Sequence, residues 1–367
     1  MDKKFTALIL TDSNGTNRAS ARSPLSFDVC GKSVLAWVLS AAKKAGAAQI
    51  IVTGNEDESL IHNILGEDIL YIPSQAGAEN ISEDVRAALL FPDAPIVMLY
   101  GDAPLVCACD IERTVQMQSD AVSFVCTENE ENALRVTDPV QLAEVNRFMR
   151  LRINAHHAQN GVFILDLYNT FIDCDVQIQP DSVIYPNVYL KGNTTIGSSV
   201  EIMAGSLLEN AMIADGVSIK SSYIYDASIG QNTTVGPFAY IRPGCVIGEK
   251  CRIGDFVELK NANIQNGTKV SHLTYVGDAD VGQRVNFGCG TVTSNYDGAN
   301  KFRTVIGNDV FLGCNTNLVA PVEVEDGAYI AAGSTITDRV PKDTLAIARA
   351  RQVIKENWTK PKKEDKK

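Results

Sequence analysis

The sequence lacks a long apolar segment. A membrane-spanning helix needs about 18 or more consecutive apolar residues, and none of the 367 residues lies in such a run. The start, Met1 to Leu10, has neither an apolar core behind a basic segment nor a small-residue cleavage site, which a secretory signal would carry. We therefore expect a cytoplasmic protein without membrane contact.

Positive charge is also scarce. The chain has 33 Lys and Arg against 44 Asp and Glu, a formal net charge of −11. Nucleic-acid-binding proteins normally present a basic face, so the balance predicts no nucleic-acid partner. A local basic pocket for a small anion remains compatible with it.

Few cysteines are spaced as they would be in a metal site or a disulfide framework. The nine cysteines are odd in number, and only Cys107 and Cys109 are close together. No second Cys or His pair at zinc spacing accompanies them. The pattern predicts reduced thiols rather than a disulfide framework, and no resident metal.

Short apolar runs alternate with helix-like segments in the first 166 residues. The predicted strands are Phe5 to Leu10, Ile50 to Thr53, Ile69 to Ile72, Ile96 to Tyr100 and Ala121 to Cys126. The predicted helices are Val34 to Lys44, Val85 to Phe91 and Val140 to Leu151. This alternation is typical of an α/β domain with a mostly parallel sheet.

From Ile184 onward, aliphatic residues recur with a period of six. They stand at Ile184, Leu190, Ile196, Ile202 and Leu208, at Val235, Ile241, Ile247, Ile253 and Leu259, and at Ile306, Leu312, Leu318, Val324, Ile330 and Ile336, with mixed steps through Ile213, Ile219, Ile224 and Ile229. Neither a helical period near 3.6 nor a strand period of 2 explains this spacing. It predicts a triangular coil whose aliphatic residues point to the axis.

Polar and glycine residues follow the aliphatic positions and predict the corners. Gly197, Gly230, Gly236, Gly248, Gly254 and Asn308 stand where a positive φ is often needed. Ser294 to Arg303 carries no aliphatic residue in phase, so it should bulge outward as a loop. Ligand contacts concentrate on such loops.

The repeat region contains residue types that acyl transfer to an amine requires. Amide formation from a thioester needs a base, donors for the oxyanion and cations for any substrate phosphate. His272 is the one histidine of this region, and Arg242, Lys260 and Lys301 supply cations. Tyr275, Asn286, Asn295 and Tyr296 lie between them. A lone structural histidine and solvated charges are the plain alternative.

Several motifs together resemble a known family. They are Leu-Tyr-Gly-Asp102, Ile-Arg242-Pro-Gly, His272-Leu-Thr-Tyr275, Asn295-Tyr-Asp-Gly298 and Lys301. The combination resembles the bifunctional N-acetylglucosamine-1-phosphate uridylyltransferase / glucosamine-1-phosphate N-acetyltransferase (GlmU) family, nearly without interruption from about 175 to 360.

The resemblance implies a homotrimer of left-handed β-helices that uses acetyl-CoA in sites between neighbouring subunits. His272 would be the general base. The implied contacts are Arg242, Lys260 and Lys301 on the sugar phosphate, Tyr275 and Asn286 on the sugar, Asn295 on the amine, and Tyr296, Cys314, Ala332 and Arg349 on coenzyme A, with the Cys289 backbone amide as oxyanion donor.

Two of these positions depart from the family pattern. The family normally has Ala at the position of Cys289 and Ser at that of Cys314. A backbone donor survives a side-chain change, but accessible thiols beside a thioester could make the enzyme sensitive to alkylation or oxidation. Activity unchanged by a thiol-blocking reagent would count against this hypothesis.

The N-terminal part departs from the uridylyltransferase pattern in its chemistry. In the glycine-rich loop, Ser13 replaces a glycine and Asp12 adds an anion, and Leu25 stands where the family has a lysine for the triphosphate. The family's Gly-Thr after the uracil-contacting Gln is Asn80-Ile81, and the segment between about 126 and 137 is short. Two residues of the family pattern are retained: Gln75 at the uracil-contacting position and Asp102 at the magnesium-ligand position. We expect nucleotidyl transfer to be lost.

The sequence thus predicts an α/β nucleotidyltransferase-like (Rossmann-like) domain over 1–170, an all-β left-handed parallel β-helix of hexapeptide repeats over 171–345, and a segment with a basic tail over 346–367. The predicted activity is acetyl transfer from acetyl-CoA to glucosamine-1-phosphate, in UDP-N-acetylglucosamine and cell-wall precursor synthesis. Three alternatives stay open: a fully bifunctional enzyme, an acyltransferase for another amino sugar, and a non-catalytic trimeric scaffold.

Overall fold

The computed structural model describes residues 4–11, 22–73, 81–117 and 121–359. Asp12, Ser13, Gln75, Asn80 and the tail from Lys360 lie outside these residues. The chain forms two compact units, Met1–Gln177 with Ile184–Asn193, and Ile178–Val183 with Thr194–Lys367. The domain boundaries given above stay a prediction.

The first unit contains a five-stranded parallel sheet. In spatial order its strands are Leu70–Pro73, Gln49–Gly54, Thr6–Leu10, Ile96–Tyr100 and Val122–Phe124. Every residue of the central strand Thr6–Leu10 is buried, because helices cover both faces of such a sheet. The predicted α/β fold is confirmed, and a short hairpin joins Asp28–Val29 to Lys32–Ser33.

Helices follow the strands of this sheet. Their bounds are Val34–Lys44, Glu58–Leu65, Glu83–Ala87, Ala108–Met117 and Pro139–Gln159, with 3₁₀ turns at Pro24–Ser26 and Glu130–Ala133. The side chains of Ser33, Asp57, Ser82 and Asp138 cap four of them by accepting backbone N–H groups. Glu58–Leu65 and Ala108–Met117 were not predicted, and Pro139–Gln159 runs past the predicted end at Leu151.

The second unit is a parallel coil with three flat faces, on which each strand pairs with the strand one coil later. The first face consists of Leu207–Glu209, Tyr223–Tyr225, Tyr240–Ile241, Glu258–Ile264, Tyr275–Val281, Val292–Ser294, Asn317–Val319 and Thr335–Ile336. The second consists of Thr195–Ile196, Met212–Ile213, Ser228–Ile229, Val246–Ile247, Thr304–Ile306 and Val322–Val324, together with the C-terminal ends of the long strands Glu258–Ile264 and Tyr275–Val281.

The third face carries the strands that matter most for the site. They are Glu201–Ile202, Ser218–Ile219, Thr234–Val235, Arg252–Asp255, Lys269–His272, Asn286–Phe287, Phe311–Leu312, Tyr329–Ile330 and Leu345–Ala346. Shorter strands earlier in the chain are Phe163–Ile164, Phe171–Ile172, Gln177–Ile178, Val183–Ile184 and Tyr189–Lys191.

The periodic aliphatic residues form the core of the coil. None of the positions predicted from the period of six is more than 5% exposed. They stack on one another in register, as in Ile196 on Ile213, Ile202 on Ile219 and Ile241 on Leu259. Burying each such side chain stabilises the fold by about 2 kcal/mol. The predicted left-handed parallel β-helix is confirmed.

The reason for the corner glycines differs from the prediction. Of the six positions named, Gly236 has a positive φ, of 95°, whereas Gly230 does not. At Gly230 a Cβ would lie 2.5 Å from the backbone carbon of Gly248 on the next coil, so close approach of the coils excludes a side chain. Polar residues such as Asn232 (φ 57°) and Asp309 (φ 58°) adopt the left-handed conformation instead.

The prediction of reduced thiols throughout is wrong at one place. Cys107 and Cys109 are joined in a disulfide with a Cα–Cα distance of 5.3 Å, which falls in the bonding range. The start of helix Ala108–Met117 brings them together. Asp110 completes a cluster of donor atoms within 4.8 Å, but two sulfurs bonded to each other are not thiolate ligands. None of the helices in the described ranges is long and apolar enough to cross a bilayer.

Candidate active site

One edge of the third face carries the predicted base and coenzyme A positions in a column. Asp255 pairs directly with His272 on the next coil. Extending the pairings Val270–Phe287, Phe287–Leu312 and Leu312–Ile330 by two residues aligns His272 with Cys289, Cys314 and Ala332. Stacked parallel strands lie about 4.8 Å apart. The fold therefore places these predicted residues on consecutive coils.

His272 ends its strand at this edge with half of its side chain exposed. Its Nδ1 lies 2.5 Å from Oδ1 of Asp255. This hydrogen bond is the main cause that holds the pKa of the Asp255 carboxyl below its usual value. A carboxylate can only accept, so Nδ1 is the donor and Nε2 keeps the free lone pair of the neutral ring.

Cys289 and Cys314 occupy the next two corners of the column. The Cys289 carbonyl accepts from Asn315 N at 2.8 Å, and the Cys314 carbonyl accepts from Gly333 N at 2.8 Å. Among the residues the structure describes, the Cys289 N–H makes no hydrogen bond, as an oxyanion donor requires. Both cysteines are free thiols, Cys289 half-buried and Cys314 exposed.

Arg349 lies beside the upper end of the column. Its Cδ is 3.7 Å from the position that a Cβ on Gly333 would occupy. The exposed Ala332 precedes that glycine. An arginine over small residues at a corner can pair with a phosphate while its stem packs on the backbone.

Two of the three predicted sugar-phosphate cations, Arg242 and Lys260, lie along the first face, and the third, Lys301, lies in the loop after Ser294. Arg242 precedes Lys260 by one coil in the same column, since Ile241 pairs with Leu259. Arg242 Nη1 donates to Glu258 at 2.9 Å, and Lys260 Nζ donates to Asp278 at 2.9 Å. These hydrogen bonds raise the pKa of both cations. One guanidinium edge of Arg242 stays available for an anion.

Asp278 connects several of the predicted site residues. Its nearly buried carboxylate accepts from Lys260, from Asn261 at 2.7 Å and from Asn295. Partial burial acts to raise its pKa, but the hydrogen bonds from Asn261, Lys260 and Asn295 hold the pKa below its ordinary value. An ionised Asp278 therefore fixes the side chains of Lys260 and Asn295.

The predicted loop after Ser294 is present. It folds back through an antiparallel bridge between Tyr296 and Lys301, and Asp297 accepts the N–H groups of Ala299 and Asn300 at 2.8 and 2.6 Å. Lys301 lies near enough to Lys260 to affect its titration. Tyr296 is 58% exposed, so the loop offers an aromatic surface beside a cation.

The two groups of residues meet at the corner between His272 and Tyr275. Leu273 has a positive φ of 43° there, and the Thr274 hydroxyl donates to the His272 carbonyl at 2.6 Å. The Tyr275 hydroxyl lies over Gly277, where a Cβ would collide with it. Asn286 begins a strand on the His272 face, paired with Lys269.

Three carboxylates of the site were missed by the sequence reasoning. They are Asp255, Glu258 and Asp278. Each lies about one coil, 16 to 18 residues, from its partner. These carboxylates could have been predicted by searching about one coil length, 16 to 18 residues, before or after each predicted cation or histidine.

The two thiols give a direct test of the site. We expect a thiol-blocking reagent to inactivate acetyl transfer through Cys314, the more exposed of the two, and acetyl-CoA to protect against it. The variant Cys314→Ser should retain activity and resist the reagent. Cys126→Ser, which removes an exposed thiol of the first unit, is the matched control and should stay sensitive. If Cys314→Ser lost activity to the reagent as readily as Cys126→Ser, Cys314 would not be the thiol through which the reagent acts.

Comparison with known proteins agrees with the repeat fold. The family described as bacterial transferase hexapeptide (six repeats) matches residues 226–261 and 303–338. The bifunctional protein GlmU of Clostridium kluyveri is 54% identical over 228 residues, which cover 62% of this chain and 50% of the relative. That of Clostridium tetani is 57% identical over 236 residues, covering 64% and 52%.

The chain spans about half the length of these curated relatives. Among solved structures, LpxA from Acinetobacter baumannii is 18% identical and covers 51% of this chain and 71% of its own, with a TM-score of 0.25. At that score the likeness supports no further statement. The chain therefore carries bacterial transferase hexapeptide repeats and is similar, over 62% to 64% of its length, to curated proteins named bifunctional protein GlmU.

Proposed function

We propose that this chain transfers the acetyl group of acetyl-CoA to the amine of glucosamine-1-phosphate, in the cytoplasm and for the synthesis of UDP-N-acetylglucosamine and cell-wall precursors. The observation that carries the proposal is the column of His272, Cys289, Cys314 and Ala332 on consecutive coils. It supports a base, an oxyanion donor and a coenzyme A track in the order that the reaction needs. The names of the curated relatives support it independently.

The chemistry follows from these groups. The amine attacks the thioester carbonyl, and His272 Nε2 takes the proton that the nitrogen loses. The Cys289 N–H stabilises the oxyanion of the tetrahedral intermediate. The carbon–sulfur bond then breaks, and the coenzyme A thiolate takes the proton from the imidazolium. Acetylated amine and free thiol are the products, and the base is regenerated.

The first face supports recognition of a sugar phosphate. Arg242 and Lys260 stack on consecutive coils, and Lys301 adds a third cation that no carboxylate of the described residues pairs with. Tyr275, which follows the corner after His272, and Asn286, which begins the next strand of the His272 face, would contact the sugar, Asn295 would orient the amine, and Tyr296 would contact coenzyme A. A dianionic phosphate suits this excess of positive charge.

We further propose that uridylyl transfer is lost. Both oxygens of Asp102 accept from Arg135, at 2.7 and 2.9 Å, and the Arg135 guanidinium stacks 3.9 Å from the Tyr100 ring centroid. A carboxylate engaged in this way does not fit a magnesium ion. Leu25, at the position of the family's lysine, is buried in the core of the first unit. These contacts support a domain stabilised for a role other than nucleotidyl transfer.

We propose a homotrimer with sites between subunits, in agreement with the resemblance. Exposed aromatic residues on the coil support contact with further copies of this chain. Phe238 stacks on Phe256 at 5.4 Å and Phe311 on Tyr329 at 4.5 Å, and each of these rings is more than a third exposed. Such exposed aromatic surface is typical of subunit interfaces.

The substrate is tested by coenzyme A release from acetyl-CoA with three acceptors. Glucosamine-1-phosphate should support turnover. The KM for glucosamine should be much higher than the KM for glucosamine-1-phosphate, because glucosamine lacks the phosphate. N-acetylglucosamine-1-phosphate has no free amine and is the negative control. Equal turnover with glucosamine and glucosamine-1-phosphate would contradict the role given to the cations, and faster turnover with a nucleotide-linked amino sugar would reassign the substrate.

A further inference from the structure

We propose that Asp255 is a positioning residue for His272, holding the proton of the neutral imidazole on Nδ1 so that Nε2 is presented to the attacking amine. The inference rests on the proposed function for its catalytic consequence. Its structural part, the state of the imidazole, is independent of any substrate.

Two sets of contacts place the carboxylate behind the ring. The Asp255 and His272 side chains are direct partners across adjacent coils, with the 2.5 Å contact between Oδ1 and Nδ1. The backbone is also fixed at this point, because Leu273 N donates to the Asp255 carbonyl at 2.9 Å and the Thr274 hydroxyl donates to the His272 carbonyl at 2.6 Å. The ring and the carboxylate therefore face each other without help from a ligand.

The carboxylate decides which tautomer the ring adopts. A neutral imidazole carries its proton on either nitrogen, and only the form protonated at Nδ1 has an Nε2 lone pair that can act as a base. Asp255 can only accept, so it selects this form. When the amine proton arrives at Nε2, the adjacent negative charge stabilises the imidazolium that results.

The exposure of the pair sets the size of the effect. The side chains of His272 and Asp255 are 51% and 36% exposed, so water competes for both partners. Replacing the aspartate of a buried catalytic triad by asparagine costs about 10⁴-fold in kcat, because the wrong tautomer of the histidine is then favoured. We expect a smaller loss here, about 10- to 100-fold, carried by kcat rather than by the KM for either substrate.

The experiment combines kinetics with nitrogen NMR on the full chain. Asp255→Ala removes the acceptor, and Asp255→Asn replaces it by an amide whose NH2 group can donate to Nδ1 and favour the proton on Nε2, so both variants should lower kcat. The ¹⁵N shifts of His272 are identifiable, since the chain has 4 histidines and His272→Ala removes one set of signals. The wild type should show a protonated Nδ1, and Asp255→Ala a mixture of tautomers or the form protonated at Nε2.

A matched control and a double variant separate positioning from folding. Asp309→Asn breaks a similar exposed pair between coils, with Arg284 at 2.7 Å, and should change neither kcat nor the His272 shifts. The double variant Asp255→Ala, His272→Ala should be no slower than His272→Ala alone. An unchanged tautomer in Asp255→Ala would overturn the inference, even in a preparation with no acetyltransferase activity. Additive losses in the double variant would assign Asp255 a role apart from His272.

Discussion

Replacing His272 by alanine should lower kcat/KM for acetyl transfer by about 10²- to 10⁴-fold, the usual contribution of general base catalysis. The variant should fold normally, because the side chain is half exposed and its main-chain hydrogen bonds do not depend on the ring. The measurement is coenzyme A release under saturating acetyl-CoA, with circular dichroism as a check of folding.

His62→Ala is the control for that experiment. His62 belongs to a helix of the first unit, where its ring lies 3.4 Å from Glu58. Its removal should leave acetyl transfer unchanged. If His272→Ala retained wild-type turnover, His272 would not be the general base. A non-catalytic trimeric scaffold would then become the favoured alternative again.

Replacing Lys260 by alanine should raise the KM for glucosamine-1-phosphate by about 10- to 100-fold, since a hydrogen bond to a charged group contributes about 1.5–3 kcal/mol. The change removes a phosphate donor, and it also leaves the nearly buried Asp278 without its cation. Asp278 is the hydrogen-bond partner of Asn295. Without Lys260 to hold Asp278 in place, Asn295 is no longer fixed, so kcat should fall as well. Steady-state kinetics with the sugar phosphate varied will separate the two effects.

Lys269→Ala is the matched control for this variant. Lys269 lies on the strand Lys269–His272 and is exposed, outside the column of Arg242 and Lys260. Its loss should change KM less than twofold. Similar KM values for the two variants would indicate that general surface charge, rather than a phosphate site, attracts the substrate.

The coil could be predicted from sequence because one geometric rule governs all of it. An aliphatic residue every six positions must point inward on a flat face, and Ile241, Leu259 and Ile330 illustrate how closely burial follows that rule. The first unit was harder. Helix Glu58–Leu65 has apolar residues at helical spacing, but it is only 8 residues long, shorter than the window of about 11 to 18 residues over which such a period is recognised.

The site could be predicted residue by residue but not as a network. His272, Lys260 and Asn295 were identified by their motifs, whereas Asp255 and Asp278 were missed because each acts on a partner one coil away. Similarly, the bond between Cys107 and Cys109 depends on local backbone geometry at a helix start. Cysteine spacing in a sequence indicates metal sites and disulfides between distant residues. It does not indicate a bond between two cysteines separated by a single residue.

The central claim is acetyl transfer to glucosamine-1-phosphate without uridylyl transfer, and one purified sample can test both parts. Thiol release from acetyl-CoA with glucosamine-1-phosphate is measured beside pyrophosphate release from UTP with N-acetylglucosamine-1-phosphate and magnesium. We expect thiol release and no pyrophosphate. Pyrophosphate release would contradict the argument from Leu25 and the Asp102–Arg135 pair, and a folded sample without thiol release would contradict the assignment of the coil as this acetyltransferase.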